Sequence, residues 1–332
     1  LATVATAAQA QSSVTIYGIV DSGYLSHKDD GATGRVQSIA SGALSTSRLG
    51  FKGTEDLGGG LKANFTLENQ FSTDTGAQSG DLFTRGAWVQ LDQANVGSVT
   101  LGRQNRLDYV NVIAGDAYGA ANVGGFVAVG YLGAGVATSS TVRVNNAVTV
   151  QTANFAGLTA AYQYAFGEVA GDTSKSKVES GRLAYTYGKL NLSAAIAEAK
   201  KADGTKDHRV TNYFANYDFG VAKAFVGYQE HSPATGAKIK STSIGAVVPV
   251  TAKVNVLAAY HNIDNSYNVQ NGDAKAYSLG ATYAFSNRTT AYALYASSNV
   301  DATGKLRTEN LSQTATTGKD ATTFGAGIRH TF

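Results

Sequence analysis

The amino-acid sequence predicts an all-β fold, a 16-stranded antiparallel transmembrane β-barrel with one long connection folded into the space its wall encloses. Three observations predict it. Apolar and polar residues alternate along sixteen short segments, the period of a sheet whose two faces meet different surroundings. Tight turns and longer polar loops take turns between those segments, the two-sided asymmetry of an up-and-down barrel. One stretch, residues 101–141, breaks the alternation, with neither a clean period of two nor a sustained helical period.

Composition narrows the classes. The chain has 332 residues, a formal net charge of +3 and no cysteine. That length often means two domains, but a large barrel holds it in one. No proline-rich or charged linker divides the chain, which has only 2 Pro. Without Cys there is neither a disulfide framework nor a thiolate metal site. Charged residues are 15% and the positive ones are scattered, which fits neither a disordered chain nor a nucleic-acid binder. No run of about 18 apolar residues exists, so no transmembrane helix is encoded, whereas a strand crosses a bilayer with about 9–11 residues of which every second is apolar. The first ten residues, LATVATAAQA, are small and apolar, and Ala8-Gln9-Ala10 fits the A-x-A cleavage pattern. They read as a signal-peptide remnant over 1–10, with a single barrel domain over 11–332 starting at Gln11.

The strands follow in order. Val14, Ile16, Gly18 and Val20 share one face, and Thr15, Tyr17, Ile19 and Asp21 the other. About twenty polar and small residues lead to 47–55, where Leu49 and Phe51 oppose Arg48 and Lys52. After an EDLGGG turn, Leu61, Ala63, Phe65 and Leu67 oppose Lys62, Asn64, Thr66 and Glu68. Segments 82–92 and 98–103 are joined by QANVG. Beyond the long stretch, Val142, Val144, Val148 and Val150 oppose Arg143, Asn145, Thr149 and Gln151, and Leu158, Ala160, Tyr162 and Tyr164 come next. The last nine strands are expected near 179–188, 190–199, 209–218, 222–231, 240–250, 253–263, 275–285, 288–299 and 322–332. Closing such a sheet abolishes the unpaired edges that hydrocarbon does not tolerate, and sixteen strands leave an aqueous channel, which explains Lys, Asn, Gln, Arg and Thr on the second face.

Aromatic residues near strand ends, Tyr162, Tyr164, Phe166, Tyr185, Tyr187, Tyr213, Tyr217, Phe219, Tyr283 and Phe285, suit girdles at the membrane–water boundary. Trp88, placed opposite Arg85 by the alternation, is expected to face outward. In the long stretch the only charges are Arg103, Arg106, Asp108 and Asp116; its glycines and small apolar residues suit a compact inner lining. No enzyme is expected. The five His, at 27, 208, 231, 261 and 330, show no metal-site spacing, and there is no GxSxG elbow, phosphate loop or other cofactor motif. The acid pairs Asp29-Asp30 and Glu55-Asp56 read as solvated loop and turn charge.

Several stretches carry a family resemblance: SSVTIYGIVDSGY, SRLGFKGTEDLGGGLKANFTLENQF, FTRGAWVQLDQANVGSVTLGRQ, VRVNNAVTVQTANFAGLTAAYQY and the ending GAGIRHTF. With them the chain resembles the general porins of Gram-negative outer membranes, in the subgroup typical of β-proteobacteria. Residues from about 170 to 320 match mainly in pattern. The resemblance implies a homotrimer in outer-membrane lipid and lipopolysaccharide, with the third long loop forming a constriction. It also implies that the terminal Phe332 belongs to the barrel-assembly signal. Arg48, Arg85 and Arg143 match positions where porins place a basic ladder across the eyelet, and Ile19 stands where some relatives carry a further basic residue. Arg106, Asp108 and Asp116 are expected on the loop side of the constriction, although Asp108 could instead pair with Arg106 or Arg103 and fix the loop. Lys52, Lys62 and Arg103 are expected to line the pore elsewhere. Cation-preferring relatives carry more acids on this loop. With so few here the eyelet is expected to be electropositive and to favour small anions while passing neutral hydrophilic solutes. The alternative is a substrate-specific channel for dicarboxylates or phosphate. A barrel-anchored enzyme or adhesin finds no support in a Ser/His/acid set or in large outer loops.

Overall fold

The structure, a computed structural model, describes residues 13–133, 142–234, 236–265, 272–311 and 315–332. The proposed signal remnant and the end of the long connection, 134–141, lie outside them. The strands are β1 (Ser13–Asp29), β2 (Val36–Ser41), β3 (Arg48–Gly58), β4 (Leu61–Gln70), β5 (Gly86–Gln93), β6 (Gly97–Asn105), β7 (Arg143–Thr152), β8 (Leu158–Ala165) and β9 (Val178–Tyr187). They continue with β10 (Leu190–Lys200), β11 (Lys206–Asp218), β12 (Lys223–Pro233), β13 (Ile239–Pro249), β14 (Val254–Asp264), β15 (Ala274–Ala284), β16 (Thr289–Val300) and β17 (Ala321–Thr331).

These 17 segments form one antiparallel sheet that makes a 16-stranded wall, because β2 and β3 are two pieces of one barrel strand. The long β1 pairs with β3 from Ser13↔Thr54 to Ile19↔Arg48 and with β2 from Ser22↔Ser41 to His27↔Val36. Between the two pieces, residues 42–47 leave the wall as a short excursion. The sequence does not announce β2. In VQSIAS the apolar Val36 and Ile39 fall on opposite parities, so no alternation shows. The wall closes where β17 returns to β1, from Ile19↔Thr331 to Asp29↔Ala321. At that seam Gly18 and Phe332 exchange backbone hydrogen bonds of 3.1 and 3.2 Å. A Cβ on Gly18 would lie 2.5 Å from the Phe332 ring, so the seam needs a residue without one.

The alternation sorts the side chains by solvent. Val14 is 69% and Ile16 61% exposed on the outward face, while Asp21 on the other face is fully buried. Exposed Leu49, Val89, Leu91, Val99 and Leu101 extend this apolar outer surface over the first strands. Later strands carry outward rings instead. Tyr185–Tyr187, Tyr217–Phe219 and Tyr283–Phe285 pair at 6.5, 4.7 and 5.0 Å just before or at short turns. Tyr164–Phe166 pair at 4.9 Å at the opposite end of the wall. Amphipathic rings at two heights around an apolar belt suit the two interfaces of a bilayer.

Trp88 departs from its expected outward position. It shares the lumen face with Lys52, Thr66 and Gln90, while its neighbour Val89 points out. The parity inferred from Arg85 fails because Arg85 precedes β5. Its backbone N–H donates to the Glu68 carbonyl at 3.1 Å and its side chain turns inward independently of the strand.

The long connection does run through the interior, and it contains structure the sequence hides. A helix, α1 (Leu107–Gly115), is followed by a π-helical segment, Val127–Gly133. The buried face of α1 includes Asp108 and Asn111 beside Leu107, Val112 and Gly115, so polar residues interrupt the apolar period that would have marked a helix. Asn111 donates to Asn212 of β11 at 2.9 Å and accepts from Arg182 of β9 at 3.0 Å. Tyr118 donates to the Leu257 carbonyl of β14, and Ser241 of β13 donates to the Gly130 carbonyl. Val112, Phe126, Tyr131, Phe214, Ile263 and Leu306 pack together as an apolar core inside the barrel. One half of the interior is therefore solid, and the open path lies against the other half.

Candidate pore constriction

Between the loop and the wall is a cavity of about 300 Å³, the candidate passage. Arg48, Arg85 and Arg143 line one side, and Tyr109, Ile113, Ala120, Val127 and Leu132 from the loop line the other. The convergence of the three arginines follows from three separate strand starts.

Arg48 is the first residue of β3, directly after the excursion, and its Nε donates to the Thr46 carbonyl at 3.0 Å. The excursion is itself fixed. The Asp21 carboxylate accepts the Ser45 backbone N–H at 2.6 Å and the Tyr292 hydroxyl at 2.6 Å. Asn122 at the loop tip donates to the Gly42 carbonyl at 2.7 Å, tying loop to excursion. Arg85 donates to Glu68 at 2.6 Å and Gln70 at 3.1 Å. Arg143, the first residue of β7, donates to the Arg85 carbonyl at 3.1 Å, and its guanidinium lies 5.9 Å from the Tyr109 ring centre.

The sequence does not single out Glu68, yet it is the carboxylate of this cluster. It receives Arg85 on one oxygen and the Tyr17 hydroxyl, at 2.9 Å, on the other. Its only signal is its place on the polar face of β4, and nothing in the chain's local pattern brings β4 against Arg85. Among the described residues neither Arg48 nor Arg143 forms an ion pair with a carboxylate. Three guanidiniums and one bonded carboxylate leave the wall side positive.

The loop-side placement at the constriction is corrected, and of the two expectations for Asp108 the structure has its pairing with Arg106. Arg106 is 1% exposed and Asp108 0%, so neither reaches the passage. They form a two-pronged ion pair of 2.6 and 2.9 Å, and Tyr131 donates to the same carboxylate at 2.8 Å. Burial opposes the charge on Arg106, but the Asp108 carboxylate and the Tyr131 oxygen outweigh it and hold the guanidinium above its ordinary pKa. A buried charge without such partners would be far more costly, which is why these two residues close on each other. Asp116 is buried too and accepts the backbone N–H groups of Tyr118 at 2.9 Å and Ala120 at 3.1 Å, shaping the loop tip. Arg103 is not among the residues that line the passage; it donates to the Thr84 carbonyl at 2.7 Å and to Asn145. Lys52 and Lys62 are exposed on the lumen face of β3 and β4, apart from the trio, with Lys52 Nζ 5.2 Å from the Tyr17 ring centre. Arg182, absent from the sequence-based set, holds α1 through Asn111.

Comparison with known proteins agrees with this architecture. The sequence profile of the Gram-negative porin family matches residues 1–303. Outer membrane porin protein 32 of Delftia acidovorans is 34% identical over 341 residues, covering 98% of this chain and 96% of that protein. An outer membrane porin protein of Bordetella pertussis is 30% identical over 361 residues, covering 88% of this chain and 90% of its own length. Among solved structures, the anion-selective porin from Comamonas acidovorans superposes with a TM-score of 0.86 at 32% identity, covering 97% of this chain and 100% of that one. By sequence over nearly its whole length and by fold, the chain belongs to the Gram-negative porin family.

Proposed function

We propose that this chain forms an outer-membrane channel for passive diffusion of small hydrophilic solutes, with a preference for anions set by Arg48, Arg85 and Arg143. One observation carries the reading. The three guanidiniums share one wall of the passage, while the ionic groups of the loop opposite are buried away from it. Rings of Arg favour anions, and low-dielectric walls focus their field on an ion in transit. The channel reported as anion-selective in the Comamonas relative supports the same sign. The reading assigns transport and no catalysis. It also assigns a homotrimer, supported by the mostly aliphatic outer surface of the first strands, where Tyr24 is exposed but no ring pairs stand like those of the later strands.

Reconstitution in planar bilayers under a salt gradient tests the reading. The expected reversal potential is that of an anion-preferring pore. Cation preference would overturn the selectivity, and an absence of conductance steps would overturn the channel.

A further inference from the structure

We propose that the passage also sorts anions by their apolar bodies, favouring organic monocarboxylates with a compact aromatic or branched body over small anions of equal charge. This rests on the anion preference proposed above and adds a substrate class to it.

The two walls differ in chemistry as well as in charge. On the wall side, Arg48 and Arg143 have no carboxylate partner among the described residues, whereas Arg85 is committed to Glu68 and Gln70. Arg48 and Arg143 are thus the guanidiniums open to a passing carboxylate, whose planar geometry suits their fork. On the loop side, Tyr109 and Ile113 are one helical turn apart on α1, so they stand as neighbours on one ridge, and both are partly exposed. Ala120 is partly exposed in the same cavity, and the buried Val127 and Leu132 back it. The potential charges of the loop are spent on its own folding: Arg106 on Asp108, and Asp116 on the backbone of the tip.

Arg143 sets the spacing. Its guanidinium lies over the Tyr109 ring, 5.9 Å from the centre, so a carboxylate received on its outer edge holds its body beside the Tyr109 rim and Ile113. A hydrated inorganic anion leaves that wall facing water. A ring or branched chain covers it and releases the water, which is favourable. The volume of about 300 Å³ is at the lower end of small-molecule sites, about 300–1,000 Å³, and suits a body of one ring. The contact is with one wall only, so it slows the ion without trapping it.

The test uses the full channel in planar bilayers at neutral pH, where the carboxylate probes are ionised. Acetate, butyrate, cyclohexanecarboxylate and benzoate are titrated against the chloride current. The half-blocking concentration is expected to fall by roughly twofold per added carbon, about half the effect of full burial. In Ile113→Ser and in the double variant Tyr109→Ser/Ile113→Ser, the benzoate-to-acetate ratio measured within each channel should shrink toward one. In Arg143→Gln both probes should weaken together. A ratio near one in the wild-type channel overturns the proposal with no variant needed, and so does a ratio that survives intact in the double variant. The salt-gradient measurement separates the two readings: an anion-preferring channel with a flat series sinks this proposal alone, while cation preference sinks both.

Discussion

Two sets of arginines sit only a few side chains apart inside this barrel, and their surroundings are opposite. Arg106 belongs to the solid half. It is sealed from water and answered by Asp108 and Tyr131, with His208 Nε2 3.0 Å from its remaining side. Arg48 and Arg143 belong to the open half, where they line a passage and pair with no carboxylate among the described residues. Each environment permits a different arrangement of charge. Sealed from water, a charge persists only when neutralised; beside water, a surplus of one sign is tolerated and can act on ions. The loop is able to narrow the pore without cancelling the arginines opposite because its own charges are consumed in holding it together.

The solid half and the open half can each be perturbed separately. The largest effect is expected from Asp108→Asn, which leaves Arg106 buried without a counter-charge. A loss of about 3–5 kcal/mol from the loop's packing is expected, read as a lower urea midpoint of the detergent-folded barrel and as noisier open-channel current. Unchanged values would mean that the ion pair does not anchor the loop. Next comes the double variant Arg48→Gln/Arg143→Gln. Its anion-to-cation permeability ratio should fall several-fold toward unity while the urea midpoint stays close to that of the wild type, since neither side chain closes a buried ion pair.

Removing the one bonded carboxylate should move selectivity the other way. Glu68→Gln frees the Arg85 charge, and the same ratio should rise by about twofold, given that the group is partly exposed and screened. Raising the salt probes the same assignment without a mutation. At about 1 M the screening length shrinks to about 3 Å, so anion preference should decline relative to about 0.1 M. The smallest effect is expected from Lys62→Gln. Lys62 lies near the Gly58–Gly60 turn, exposed and apart from the passage, and its loss should leave the permeability ratio within measurement error.

Much of the wall is legible in the order of residues alone. The alternation around Leu61–Leu67 and Val142–Val150 sorts lipid-facing from lumen-facing residues because the period of two is a local property of a strand. Where that period breaks, parity misleads. Counting from Arg85 points Trp88 outward, but Arg85 lies before the strand begins. The strand piece β2 carries too little alternation, and α1 buries an Asp and an Asn that mask its helical period. At the passage, the polar faces of β3 and β7 account for Arg48 and Arg143, but the inward turn of Arg85, its bond to Glu68 and the burial of Arg106 are not legible. The bond joins side chains from separate segments of the wall, and the burial needs the loop folded on itself and packed against β11, where His208 meets Arg106.

Local periodicity and the length of one connection thus specify the sixteen-stranded wall, its two faces and the presence of a long inner loop. Which charges remain available is a property of the folded barrel. Tyr292 reaches Asp21 across 271 positions of sequence, and Asn212 holds the Asp108 carbonyl across 104. Whether a charged group is neutralised depends on neighbours in space, and in a closed barrel those neighbours are set by the closure of the wall and the path of the loop across it.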